Sequence, residues 1–510
     1  MKHRFCMFFP LALAIVYLFL CLLNINGSVW FDESYSAYLI RGNFSDIWNL
    51  TAMDVHPPLF YFLLKLWSLV FGNADFALRF MSVFFGAISI ILAFHLIKRW
   101  FGAKAATIGS LFLTFSPMLI RYGQEMRMYT LVLAIILAAT YLLDLALESN
   151  KKRYWILYAI LVSLGMWTHY FTVFAWLTHL FYLKFILHRK IFKKPIFTSY
   201  LLSVILYIPW IPFFIQQFTH VQGNFWIESI STITPTDFLT EALFFSQASQ
   251  ATNWLVPLFL SVLILAIFII IQVYKKLKIK DKKHFSLLII LSLLPPALLI
   301  LVSLPPLSPM FYNRYLLYSA ASIWLLIGTS IPLCLHFCST KGPVFASVSL
   351  SVLMVISSTI GIVNVATRTP KSYMKPTLSL LKQISDQKNE PILVGDIWTY
   401  YDAIPYSTEE HPIYTADEWI SYYYGSEQPV KQYQYNIIKD LSDFIKEHDR
   451  FWYIVDLDGN SAEVDANDSN AQTCKTTKST SELEKSPLPG YRLINEASDG
   501  HYLSLEFEKE

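Results

Sequence analysis

The stretch that decides the fold is Pro57-Pro58-Leu59-Phe60-Tyr61-Phe62-Leu63-Leu64-Lys65-Leu66-Trp67-Ser68-Leu69-Val70-Phe71. It is apolar enough to pass for a membrane crossing. Yet it opens on a double proline, carries Lys65 and is shorter than the about twenty residues a crossing helix needs. Two other apolar runs share the interval between Arg4 and Lys98, namely Phe8–Leu23 and Ala77–Ile97. Lys2 with Arg4, and Lys98-Arg99 with Lys104, are basic clusters, which stay on the cytoplasmic side of a bilayer. Only an even number of crossings joins them, so one of the three runs does not span. The middle run is therefore read as an interfacial or partly dipping helix on the outer face, a level that suits its tryptophan and tyrosine.

Working outward, the totals set the class. The chain has 510 residues, 55% hydrophobic and 15% charged, with a mean hydropathy of +0.43. Soluble domains sit near 45–50% apolar and about 25% charged. Repeated apolar runs of about twenty residues predict a polytopic α-helical membrane protein. A net charge of +3 is too small for a nucleic-acid partner; the positive charges matter by location. Five cysteines make no disulfide framework, and Cys334 and Cys338 around His336 read as buried core thiols rather than metal ligands. No small-x-small cleavage pattern precedes Trp30, so the first apolar run is expected to be an uncleaved span.

The remaining basic clusters are Lys151-Lys152-Arg153, His188-Arg189-Lys190 with Lys193-Lys194, Lys275 to Lys283, and a lone Lys341. With the 57–71 helix kept outside, all of them fall inside. The spans then run near 7–24, 77–97, 104–121, 129–148, 154–169, 171–187, 196–216, 252–274, 285–304, 313–335 and 343–365, about eleven in all. Residues 1–365 form the transmembrane domain and 366–510 an extracytoplasmic soluble domain. In that tail, Pro391–Val394 and Phe451–Val455 read as buried strands, Thr377–Lys388 and Tyr435–Glu447 as helices, and Tyr491–Phe507 as a strand pair turning at Asp499-Gly500. The expected architecture is a small α/β or α+β domain, with Asn460–Ser486 a loose polar loop.

This topology gathers Asp32, Glu33, Asp54, His56, Arg121, Gln124, Arg127, His169 and Arg314 on one face. Charged groups at the hydrocarbon boundary are costly and mark function. Trp30-Phe31-Asp32-Glu33-Ser34-Tyr35 places two carboxylates at the membrane surface. A carboxylate there can act as general base on an acceptor hydroxyl. The same run equally suits a helix start, where early carboxylates complement the dipole. Arg127, Arg314 and His56 suit neutralisation of a phosphate leaving group. Carboxylate plus cations fits glycosyl transfer from a polyprenyl-phosphate sugar. No cluster has metal-ligand spacing, so neither metal nor cofactor is invoked.

The ordered set Phe31-Asp32-Glu33-Ser34-Tyr35, His56-Pro57-Pro58-Leu59, Ala77-Leu78-Arg79-Phe80, Arg121-Tyr122-Gly123-Gln124-Glu125-Met126-Arg127-Met128-Tyr129 and Arg314-Tyr315-Leu316 resembles glycosyltransferase family 39. These are GT-C membrane enzymes related to protein O-mannosyltransferases and lipid A aminoarabinose transferases. The resemblance covers roughly residues 5 to 365. It implies a polyprenyl-phosphate-linked sugar donor, an inverting transfer, Asp32 as the catalytic Asp of the first outer loop, and a juxtamembrane helix starting at His56-Pro57-Pro58. This chain has Val55-His56 and two prolines where aminoarabinose transferases have a Glu-Lys pair and one proline, and His169 where that family has a lysine. Loop 217–251 is too short for the β-trefoil of protein O-mannosyltransferases, which points away from protein as acceptor.

The expected protein is a GT-C glycosyltransferase of the plasma membrane, with its site and tail extracytoplasmic. Asp32 and Glu33 are its catalytic pair, and His56, Arg127, His169, Arg314, Tyr35 and Gln124 its binding residues. Its partners are the bilayer, the lipid-linked donor and a glycan, lipid or protein acceptor. The rival from another class is a transporter or flippase of lipid-linked sugars, which calls for charges along a pathway and paired halves.

Overall fold

The computed structural model describes residues 2–222, 227–246, 254–384, 390–409, 411–419, 436–457 and 487–510, without the side chains of residues 2–7, 384 and 418. The proposed loop Asn460–Ser486 and Cys474 lie outside the described residues. The chain divides into two compact units: Met1–Ile25 with His56–Arg368, and Asn26–Val55 with Thr369–Glu510.

The first unit is helical. Among the described residues, seven helices are long and apolar enough to cross a membrane: Asp75–Phe101, Tyr129–Ser149, Ile196–Val221, Leu255–Lys276, Ile279–Val302, Asn313–Phe337 and Lys341–Ala366. An eighth is the bent pair Ala103–Thr114 and Pro117–Gly123. Among the described residues, each of the eleven apolar runs falls largely on helix. The count of about eleven crossings is nevertheless not established, because Phe8–Leu22 and Thr172–Ile186 are short and Lys152–Thr168 has 17 residues. The span expected at 104–121 is bent by 57°. Pro117 has no amide hydrogen to donate, and its ring blocks the preceding turn.

Leu59–Phe71 is a 13-residue helix. It ends at Gly72, whose φ of +84° suits glycine and turns the chain back. The Trp67 indole then donates to the Ala77 carbonyl at 2.8 Å. Leu66, Leu69, Val70 and Phe71 stay exposed, the apolar face that an interfacial helix needs.

The core of the first unit is the helix Leu317–Phe337, buried over most of its length. It lies closest to Ala103–Thr114. A Cβ on Gly328 would meet the Gly109 Cα at 2.9 Å, and one on Gly109 would meet the Thr329 hydroxyl at 2.8 Å. Small residues let membrane helices approach this closely. Tyr17 donates to the Leu119 carbonyl at 3.0 Å, tying the first helix to the bent pair. Cys21, Cys334 and Cys338 are buried free thiols.

The second unit is built on a six-stranded sheet of β1 (Ile392–Val394), β2 (Ile413–Ala416), β3 (Ile437–Ile438), β4 (Arg450–Asp456), β5 (Tyr491–Ser498) and β6 (Tyr502–Lys509). The order is β3-β2-β1-β4-β6-β5. The first four run parallel, with Ile392 opposite Ile413 and Trp452. β6 joins β4 antiparallel and closes a hairpin with β5. That hairpin turns at Asp499-Gly500 as expected. Gly500 takes φ +88°, and the Asp499 carboxylate accepts from the His501 and Tyr502 amides at 2.9 and 2.8 Å. Leu393, Phe451, Leu505 and Phe507 centre the core. The tail helices are Met374–Ile384, Ile397–Ala403 and Leu441–Glu447. From the front of the chain, Phe31–Leu39 and Phe44–Met53 join this unit. Asn43 caps the latter with a reciprocal bond to Asp46.

Candidate active site

Within the first unit, four of the predicted residues come together. An Arg127 guanidinium nitrogen lies 3.2 Å from His56 Nε2, and another lies 3.3 Å from the Tyr61 hydroxyl. The His56 and His169 rings are 6.2 Å apart. Tyr129 and Tyr315 pack against His169 at 6.0 and 5.0 Å between centroids. Arg314 covers Tyr312 at 4.6 Å and Tyr129 and Tyr315 at 5.9 Å, the cation–π contact that planar guanidinium favours. Arg127, His169 and Arg314 are 2%, 4% and 5% exposed.

Local structure explains the convergence. Each of the four residues sits just ahead of a helix: His56 before Leu59–Phe71, Arg127 before Tyr129–Ser149, His169 before Thr172–Phe181, and Arg314 before Leu317–Phe337. Helix N-termini carry partial positive charge and unsatisfied amides. Four helix starts and two permanent cations therefore share one region, which is the physical make-up of an anion site.

The imidazoles have defined roles. A guanidinium only donates, so His56 Nε2 accepts from Arg127. The Phe171 amide donates to His169 Nδ1 at 3.4 Å. A neutral His169 then carries its proton on Nε2 and can donate it to an anion.

Other predicted residues are used differently. The Gln124 amide donates to the Cys21 carbonyl at 3.3 Å and to that of Leu23, and accepts from Arg368 at 3.0 Å. It thus braces the first helix. Arg121 pairs with Glu125. Asp32, Glu33 and Tyr35 lie in the second unit, on the helix Phe31–Leu39. There Glu33 is 1% exposed and Asp32 is half-buried, so the two adjacent carboxylates have different surroundings. Tyr35 packs edge-on against Tyr401 at 6.2 Å.

Sequence reasoning missed the tyrosines. Tyr61, Tyr129 and Tyr315 surround the cluster, and each lay inside or next to a quoted motif. Glu241 was also missed. It accepts from Tyr122 at 2.8 Å and from Asn313, the neighbour of Arg314, at 2.6 Å, and nothing in its local sequence signals this. Among the described residues, no group of three His, Cys, Asp or Glu has the spacing to hold a metal ion.

The family model described as dolichyl-phosphate-mannose-protein mannosyltransferase matches residues 55–213, a stretch that includes His56, Arg127 and His169. A search of curated protein sequences finds no match. Among solved structures, ArnT from Cupriavidus metallidurans in the apo state aligns with a TM-score of 0.59 at 11% identity, over 99% of this chain and 98% of that one. The same protein bound to undecaprenyl phosphate aligns at 0.56 and 12% identity, over 98% and 97%. The Archaeoglobus fulgidus oligosaccharyltransferase in the apo form aligns at 0.51 and 12% identity, over 88% of this chain and 70% of that one. At such identities the likeness is one of fold. The chain is a multi-pass helical membrane protein of the GT-C type with a small C-terminal sheet domain. Its fold is shared with ArnT and with the Archaeoglobus fulgidus oligosaccharyltransferase.

Proposed function

We propose that this protein is an integral membrane glycosyltransferase that moves a sugar from a polyprenyl-phosphate donor to a cell-envelope acceptor on the extracytoplasmic face of the plasma membrane, with inversion. Asp32 takes the proton from the acceptor hydroxyl. That oxygen attacks the anomeric carbon, and the bond from this carbon to the phosphate oxygen breaks. Polyprenyl phosphate leaves with the electron pair, and a single displacement inverts the centre. The phosphate changes from a monoanionic diester to a monoester of higher charge. Groups that bind the second charge better than the first stabilise the transition state. Arg127 and Arg314 fill that role, with His56 and His169 orienting the phosphate oxygens. Glu33 supports Asp32, and Tyr35 and Gln124 complete the set of substrate-binding residues.

What carries this reading is the cluster of His56, Arg127, His169 and Arg314 at four helix starts. The donor class is also supported by the matched dolichyl-phosphate-mannose-protein mannosyltransferase family and by the ArnT complex with undecaprenyl phosphate. The test is Asp32→Asn in membranes supplied with a panel of polyprenyl-phosphate hexoses and pentoses. A loss of about 10²–10⁴ in transfer rate is expected. Near wild-type transfer would remove Asp32 as the base. A flippase would instead move the intact donor across vesicles without releasing polyprenyl phosphate, so the same assay separates the two classes.

A further inference from the structure

The helix that carries Asp32 has only nine residues, Phe31–Leu39, and its N-cap, Trp30, makes no side-chain capping bond. Isolated helices shorter than about 12–15 residues are marginal in water. Its direction must therefore be imposed by what it packs against. One face bears an aromatic stripe of Phe31, Tyr35 and Tyr38, spaced i, i+4, i+7. That stripe lies on the short helix Ile397–Ala403. The Phe31 ring sits 4.4 Å from Trp398 and 4.7 Å from Tyr401. Tyr401 also meets Tyr35 at 6.2 Å and Tyr38 at 6.5 Å, edge-on in both cases.

Both flanks of the helix are tied to the same region. Ahead of it, Tyr406 accepts from the Val29 amide at 2.9 Å, Ser28 accepts from the Lys375 amide at 3.0 Å, and the Lys371 ammonium lies 3.3 Å from the Trp30 ring centroid. Behind it, Arg41 donates to the Ile404 and Pro405 carbonyls at 3.1 and 3.2 Å. Ile397–Ala403 is itself rigidly mounted. It follows β1 directly, and Asp396 caps it by accepting from the Trp398 and Thr399 amides at 2.9 Å and the Thr399 hydroxyl at 2.7 Å.

We propose that Trp398 and Tyr401 of the C-terminal domain are positioning residues for Asp32, acting through Phe31. This rests on Asp32 being the base, and it assigns the C-terminal domain a part in catalysis. Sheet, Asp396 cap, aromatic clamp and carboxylate form one series of contacts. Asp32 immediately follows the clamped ring, so the direction of its side chain depends on the clamp. Errors of about 1 Å in a reacting group can cost about 10²-fold in rate.

The test uses the full chain in nanodiscs, with a nitroxide attached through Asp32→Cys after the native cysteines are replaced by alanine. Trp398→Ala is expected to raise the mobile fraction of the label, and Trp398→Phe to restore the wild-type spectrum. In the otherwise native chain, Trp398→Ala is expected to lower kcat about tenfold or more while leaving undecaprenyl phosphate binding within about twofold, because the cationic cluster is untouched. Trp398→Phe should recover most of the rate. If Trp398→Ala does not fold, Phe31→Leu reads the same contact from the other side. An unchanged label spectrum together with an unchanged kcat in a folded variant would overturn the proposal. The label reports on the clamp whether or not Asp32 is the base, so failure here is distinct from retained transfer in Asp32→Asn.

Discussion

Arg127 and Arg314 are held in different ways, and the difference is testable. Arg127 directs two nitrogens at His56 and Tyr61, while Arg314 is stacked among tyrosines. Lysine keeps the charge but loses the planar fork. Arg127→Lys is therefore expected to weaken binding of undecaprenyl phosphate roughly tenfold to a hundredfold, read by isothermal titration in detergent. A second residue-scale prediction concerns Asp402, in the helix after β1. Burial pushes its carboxyl up to about 8 from the ordinary 3.8. The Ser372 and Tyr502 hydroxyls offset part of this, and the Asp396 and Asp456 charges add to it. The unfolded carboxyl loses its proton near 3.8 and the folded one near 8. Between these values only the folded state holds the proton, so stability falls as pH rises. Asp402→Asn should flatten that decline and leave the variant the more stable form above pH 8, measured by hydrogen exchange in β1 and β4.

At the scale of elements, close helix contact decides what substitutions the bundle accepts. Gly328 has the Gly109 Cα, the Phe112 ring and the Ile108 carbonyl within 3.3 Å of where its Cβ would stand. Gly328→Leu should destabilise by about 1–3 kcal/mol, seen as a lower thermal midpoint in detergent. The 57–71 run was legible as a short, separate helix because the double proline marks its start. The hairpin at Asp499-Gly500 was legible from its turn chemistry and alternation. β2 and β3 were not, because four- and two-residue strands carry too little periodicity to stand out. The bend at Ser116-Pro117 was present in the sequence as a proline, but hydropathy averaged over the run hid it.

At the scale of the whole molecule, sidedness is the main expectation. Single cysteines at Asn73 and Ser308 should label from outside intact cells, and those at Lys151 and Lys190 only after permeabilisation. Labelling of the first pair and of Lys151 in the same compartment would break the topology on which the proposed reaction depends.

The sequence by itself determined the membrane class, the helical runs, the short apolar helix after the double proline and the cationic residue types. These are properties of hydropathy, charge and proline, which act locally along the chain. Tertiary structure alone decided that four residues from four separate helix starts share one cationic cluster, that Gln124 is a brace, and that residues 26–55 pack with the C-terminal sheet. Those outcomes depend on packing between segments up to hundreds of residues apart, such as Phe31 against Trp398. No local pattern in a chain specifies which distant side chain will fill a given space.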